Sequence, residues 1–295
     1  GLPNGAATAL VGDPANPNHF YVGISTASSG NSNDAGTALY TSYDGGATWS
    51  KVFGQSNAAA AITSSDPTIL RVAAGPNGTV AVGVVDGFTG QMRYAYLSKD
   101  NGSTWHDLSV ALDPATLAGT AGPSNVPDPD KRKDVFGNGS EAPTAVNPGG
   151  QAAIHSVIAI DPNNPNVVYM AGDRLQNFGQ SGYSANAMRA QLNADGSVTY
   201  APLTDSFTAD GSTVHPDCRS MTFDAKGNLI MATDGGIYYR TSPQTAQGAW
   251  YGMNNGRQAL ETYSMALDPS SGLVAVAAQD NGAALQAAPR SNVLD

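Results

Sequence analysis

One cysteine, two glutamates and sparse charge set the first limits. Cys218 is the single cysteine in 295 residues, which excludes a disulfide within the chain and a cysteine-based zinc site. Glu occurs only at positions 141 and 261, against 22 Asp. Glu favours helices and Asp favours turns, so the skew points to many turns and little helix. Charged residues make up 13% of the chain and the net charge is −10. Nucleic-acid binding needs a basic surface, so that partner class is excluded. No apolar run approaches the roughly 18 residues that a membrane-spanning helix requires. A Lys-bearing phosphate loop, an HExxH pair and EF-hand spacing are all missing. No signal-peptide pattern opens the sequence, and a mature secreted chain would have lost one.

Gly (34) and Pro (18) are abundant, as in a turn-rich all-β protein. One box recurs. Ser42-Tyr43-Asp44-Gly45-Gly46-Ala47-Thr48-Trp49 and Ser98-Lys99-Asp100-Asn101-Gly102-Ser103-Thr104-Trp105 both fit S-x-D-x-G-x-T-W. Trp250 ends a degenerate copy that begins at Ser242. Asn193-Ala194-Asp195-Gly196-Ser197-Val198-Thr199-Tyr200 is a fourth, with Tyr in place of Trp. In such a box the Asp accepts backbone N–H groups, and Gly supplies a positive φ. Thr and Trp then open a strand. Ser42, Asp44, Gly46, Trp49, Ser98, Asp100, Gly102, Trp105, Asp195 and Trp250 are therefore read as structural.

A second repeat accompanies the box. Thr8–Ser25 (TALVGDPANPNHFYVGIS) and Ser156–Asp173 (SVIAIDPNNPNVVYMAGD) share D-P-x-N-P-N followed by an apolar strand with Tyr21 and Tyr169 in step. Arg71–Asp86, Ser220–Asp234 and Ser264–Asp280 are shorter relatives. Each reads as strand, tight turn, strand. The strands are nearly all apolar, as expected of strands packed on both faces.

The box resembles the Asp-box, or bacterial neuraminidase repeat, of sialidases, sortilin-type ectodomains, family 74 xyloglucanases and photosystem assembly factors. Val214–Leu285 widens the resemblance to sortilin-like and glycosidase-like secreted bacterial proteins. It runs through H-P-D, T-D-G-G-I-Y, W-x-x-M-N-N-G, T-Y-S-M-A-L-D-P and Q-D-N-G. The resemblance implies an all-β fold, a β-propeller with the box between the third and fourth strand of each blade. Blades are expected at about 8–53, 60–108, 153–203, 219–253 and an incomplete 263–286, with a long inter-blade insertion at 113–150. An unfinished fifth blade reads as part of a larger propeller, completed by a further polypeptide segment.

In a propeller the loops after the second strand of each blade gather at one face. Here they begin with Asp86, Asp173-Arg174, Asp234 and Asp280, and His215 and Asp217 precede the first strand of the fourth blade. Converging carboxylates suit glycoside hydrolysis by an acid and a base or nucleophile, with Asp173 and Asp234 as the catalytic candidates. Asp86, Arg174, His215, Asp217 and Asp280 are the ligand-binding candidates. The same oxygen-rich set suits Ca2+. The alternative is that each Asp caps a turn. Sialidase activity is argued against, because the Arg-Ile-Pro motif and a placed arginine triad are missing. Tyr183, Phe178 and Tyr238 are the candidate aromatic platforms for a sugar.

Two functions remain. One is a secreted, extracellular propeller acting as a glycan- or protein-binding scaffold module. The other is a xyloglucanase-like glycoside hydrolase using an Asp pair. Exposed carboxylates roughly 5–9.5 Å apart would favour hydrolysis. Buried, turn-capping Asp side chains would favour binding. The turns rich in Asp, Pro and Asn at the opposite end are expected to offer a ligand little reach.

Overall fold

The computed structural model describes residues 1–25, 36–57, 68–87, 90–108, 150–176, 183–204, 208–254, 262–278 and 282–291. Among these the chain is all-β, with a single 3-10 turn at Pro76–Gly78 and no α-helix. Five antiparallel sheets of three or four strands follow one another along the sequence, with a separate two-stranded hairpin set into the third.

Sheet one comprises β1 (Ala6–Asp13), β2 (Asn16–Ser25), β3 (Ala38–Ser42) and β4 (Ser50–Phe53). Sheet two comprises β5 (Thr68–Ala74), β6 (Val80–Asp86), β7 (Gln91–Ser98) and β8 (His106–Asp107). In sheet three, β9 (Val157–Ile160) and β10 (Val167–Ala171) are followed by a side hairpin of β11 (Leu175–Gln176) and β12 (Tyr183–Ser184). β13 (Ala187–Leu192) and β14 (Val198–Pro202) then complete it. Sheet four is β15 (Cys218–Phe223), β16 (Leu229–Thr233), β17 (Gly236–Arg240) and β18 (Trp250–Gly252). Sheet five has three strands, β19 (Thr262–Leu267), β20 (Val274–Ala278) and β21 (Gly282–Leu285). Within each sheet, chain order is pairing order.

Side chains of a strand alternate between faces. In β5, Leu70 and Val72 pack toward sheet one, while Ala73 joins the core shared with sheet three. In β10, Val168 and Met170 face sheet two, and Val167, Tyr169 and Ala171 face sheet four. Both faces of the middle sheets are therefore buried, which is why these strands read as unbroken apolar runs.

The expectation of two buried faces fails at sheet five. Met265 is 71% exposed, Leu267 64% and Leu285 49%, and among its described side chains Val276 is the one buried hydrophobic residue. No apolar core among the described residues joins it firmly to sheet four, so its side chains lack the neighbours that enclose β5 and β10.

Both strong boxes lie at the hairpin between the third and fourth strands. In the first, Ser42 Oγ donates to Asp44 Oδ1 (2.8 Å) and accepts from Gly46 N–H (2.8 Å). Asp44 also accepts Thr48 N–H (2.8 Å) and Thr48 Oγ1–H (2.5 Å). The second repeats this network with Ser98, Asp100, Gly102 and Thr104. Gly46 and Gly102 have φ of 95° and 88°, which a side chain rarely adopts. Asp44 is exposed, held well below the usual carboxylate range at about 2, chiefly by the Thr48 hydroxyl and N–H.

The tryptophans pin successive sheets together. Trp105 Nε1 donates to Val52 O of β4 (2.9 Å), and its ring meets Phe53 edge-on. Trp250 Nε1 donates to Leu203 O (2.7 Å), just beyond β14. The buried Arg240 donates to the same carbonyl (2.9 Å) and to Thr245 O (3.0 Å). Trp49 bonds only within its own turn, to Gly46 O (2.9 Å). Trp250 is buried, whereas Trp49 and Trp105 are half-buried. Asp195 departs from the box. Its carboxylate takes only the Ser197 N–H (3.0 Å) and hydroxyl (2.6 Å), because Asn193 stands where the box has Ser.

Candidate functional site

The antiparallel order puts the start of a sheet's first strand beside the end of its second. Asp217 immediately precedes β15 and Asp234 immediately follows β16. In sheet three, His155 lies two residues before β9 and Asp173 two residues after β10. Asp86 is the last residue of β6 in sheet two. All five occupy the same end of the sheets.

Two backbone bonds stitch sheets three and four together there: Asp217 N–H donates to Asp173 O (2.7 Å) and Cys218 N–H to Gly172 O (3.0 Å). Within sheet four, Asp234 N–H donates to Asp217 O (3.3 Å). Asp217 has a φ of 67°, a left-handed conformation that Asp tolerates better than most residues. Segment 150–156 spans sheets two and three. Ala152 N–H donates to Gly90 O (2.7 Å), while the Arg71 guanidinium donates to Ala153 O (2.6 Å) and Ser156 Oγ (2.8 Å). Gly90 lies so close to the Gly150 carbonyl that a Cβ there would collide with it.

The side chains form one charged cluster. His155 Nδ1 bonds Gln151 Oε1 (2.9 Å) and lies 2.9 Å from Asp217 Oδ1. Its Nε2 lies 3.9 Å from Asp234 Oδ2, so the imidazole separates two carboxylates. Arg219 grips Asp234 with both arms, Nε to Oδ1 (2.5 Å) and Nη2 to Oδ2 (3.0 Å). Burial pushes the Asp234 carboxyl up, but the Arg219 fork and the nearby His155 and His215 outweigh it. The result lies below the ordinary carboxylate value. Asp234 is thus held ionised. Cys218 is fully buried beneath the cluster; burial, then the charges of Asp217, Asp173 and Asp234, push its thiol strongly up. It is an inert core thiol.

Asp173 is fully buried. Its Oδ2 accepts Gln151 N–H (3.1 Å) and its Oδ1 accepts Arg174 N–H (2.6 Å). This carboxylate holds backbone, and the geometry offers a substrate no path to it. Arg174 is exposed beside it. His215 is half-buried, with Nδ1 3.1 Å from Pro216 O, and packs so closely on Gly235 that a Cβ there would strike its ring. Tyr238 OH donates to Gly235 O (3.2 Å), and its ring packs on the core between sheets three and four. The side chain is half-buried.

The sequence-predicted Asp173, Arg174, His215, Asp217 and Asp234 are therefore brought together, with Asp86 at the same end of the neighbouring sheet. Asp280 and Phe178 lie outside the described residues, as does 113–149 of the insertion. Of Tyr183 the structure describes only its place in β12. For Ca2+, no group of three or more His, Cys, Asp or Glu side chains among the described residues is arranged to hold a metal ion. Arg219 and His155 crowd the carboxylates that a cation would need.

His155 and Gln151 are site residues that the motif reading missed. The signal was positional: His155 stands just before the first strand of sheet three, as His215 and Asp217 stand just before that of sheet four.

No family model matches the chain. No curated protein matches its sequence. Solved structures do resemble it. PorZ, described as an essential bacterial surface component of the type-IX secretion system of Porphyromonas gingivalis, is 15% identical, with a TM-score of 0.48, and the match covers 98% of this chain and 33% of that one. YCF48 from Cyanidioschyzon merolae is 12% identical, with a TM-score of 0.41 over 100% of this chain and 73% of that one. A Trypanosoma rangeli sialidase is 14% identical, with a TM-score of 0.41 over 95% of this chain and 46% of that one. The chain thus spans about a third of the length of the PorZ structure. At these identities the chemistry assigned to this chain rests on its own site.

Proposed function

We propose that the five sheets are blades of an Asp-box β-propeller. In this reading the chain is a secreted module that binds a glycan or an extracellular protein at the end carrying Asp173, Arg174, His215, Asp217 and Asp234. One observation supports binding over hydrolysis: the carboxylates of the cluster are already engaged by the protein. Asp173 accepts two backbone N–H groups inside the core. Asp217 faces the His155 imidazole at 2.9 Å. Asp234 is forked by Arg219. A glycosidase needs one carboxyl that holds a proton and a second that reaches the sugar or a water. Here the carboxylate nearest the surface is kept ionised, and the gap between Asp217 and Asp234 is filled by a histidine ring.

What the cluster turns outward is donor-rich. The Arg219 side chain is 43% exposed, Arg174 is exposed and His215 is half-buried. With its Nε and Nη2 fork spent on Asp234, Arg219 is a fixed guanidinium whose exposed edge suits hydroxyl or carboxylate oxygens of a ligand. The test is a screen of the purified chain against immobilised polysaccharides and extracellular proteins. Saturable binding that weakens at least tenfold in Arg219→Ala, with an unchanged fold, is the expected result. Binding indifferent to Arg219, Arg174 and His215 would remove the assignment.

A further inference from the structure

A cleft lies at the opposite end of the sheets, where the turns rich in Asp, Pro and Asn were expected to offer a ligand little reach. It has a volume of about 260 Å³ and opens between sheets two and three. Lys99, from the second box, and His106, from β8, form one wall. Asn166, from the β9–β10 turn, and the β13–β14 hairpin with Asn193 and Gly196 form the other, over an apolar floor at Leu192.

The placement follows from register. His106 pairs with Leu97, whose side chain lies in the core between sheets two and three, so the imidazole is on the face turned to sheet three. Asp107, the next residue, points the other way. Lys99 Nζ donates to Asn166 Oδ1 (3.1 Å), which braces the cleft across the two sheets and leaves the ammonium further donors. Besides Asp107, two carboxylates adjoin the lining residues in sequence, and both are bonded locally. Asp100 serves its own box, with Thr104 N–H and hydroxyl, and Asp195 takes the Ser197 N–H and hydroxyl. In a chain of net charge −10 the cleft therefore presents an ammonium and an imidazole, with no carboxylate aimed into it. Asn193 spends its amide N–H groups on Ser197 Oγ (3.0 Å) and Thr199 Oγ1 (2.8 Å), so what the Asn166 and Asn193 amides offer a sugar hydroxyl is an acceptor oxygen, and Gly196 leaves the rim open to approach.

We propose that this cleft binds an anionic monosaccharide unit, a uronate, with its carboxylate at Lys99 and His106 and its hydroxyls along the two Asn residues. Such a site gives the molecule a second foothold on an acidic polysaccharide. It is independent of the cluster at the other end.

The test is a titration of the labelled full chain with glucuronate and galacturonate, with glucose and inorganic sulfate as comparators, followed by NMR of the His106 ring and the Gly196 amide. The expected result is saturable shifts at these two residues with the uronates, at least tenfold weaker with glucose and with sulfate. Lys99→Met should weaken uronate binding about tenfold, as loss of a charge-assisted bond does, with unshifted resonances elsewhere. His106→Gln should weaken it while the cluster at the far end still binds its own ligand. Equal response to sulfate would show a site that reads charge alone and would overturn the sugar assignment. No shift at His106 with either uronate, or an unaltered response in Lys99→Met, would overturn the site itself.

Discussion

Single residues show how the same amino acid serves two ends. Asp44 stands in solvent and organises a turn, whereas Asp173 is fully buried and organises a junction between sheets. Asp44 gives a pH signature. Its folded value of about 2 lies below the ordinary 3.8. Its stabilisation is therefore complete above 3.8 and is lost as pH falls toward 2. Asp44→Ala is expected to lower the melting temperature at pH 7, and thermal scans should show the gap from the parent closing between pH 4 and pH 2. A constant gap across that range would mean that the carboxylate contributes nothing as an anion. Ligand binding at the cluster should survive the substitution, because the box lies at the other end of its sheet.

At the level of elements, the tryptophan pins predict unequal costs for equal substitutions. Trp105→Phe removes a bond that crosses from sheet two to Val52 O of sheet one and is expected to cost on the order of 1–3 kcal/mol in denaturant unfolding. Trp49→Phe removes a bond only to its own turn at Gly46 O and should cost less. Equal losses would argue against the pinning role. These elements were legible in the sequence because their causes are local: the box spells its own hydrogen bonds within eight residues, and the D-P-x-N-P-N turn spells the hairpin after it. The cluster was legible in part, since Asp173, Asp217 and Asp234 each sit at a strand end that pattern alone locates. His155 was not, because its meaning lies in Asp217 and Asp234, contacts distant in sequence. The exposure of β19 was illegible for a similar reason. Met265 and Leu267 alternate as the buried residues of β5 do, and the pattern does not say what packs against it.

For the whole molecule, stability is expected to concentrate between sheets one and four. Met170, buried between sheets two and three, predicts a loss of about 2–5 kcal/mol for Met170→Ala. Leu267→Glu on sheet five should stay within about 0.5 kcal/mol, since the side chain is 64% exposed. Chemical denaturation of the two variants side by side checks both; a large loss in Leu267→Glu would show that sheet five is buried against a partner in solution. Exposed apolar surface of this kind marks interaction sites or aggregation liabilities.

The cluster is proposed to bind and not to cleave, since Arg219 forks Asp234 and the His155 ring lies between Asp217 and Asp234. Prolonged incubation of the purified chain with each polysaccharide it retains, with released reducing ends measured for the parent and for Asp234→Asn, tests this most directly. No release above the protein-free control is expected from either chain. Steady release by the parent that disappears in Asp234→Asn would contradict it and make Asp234 a catalytic carboxylate.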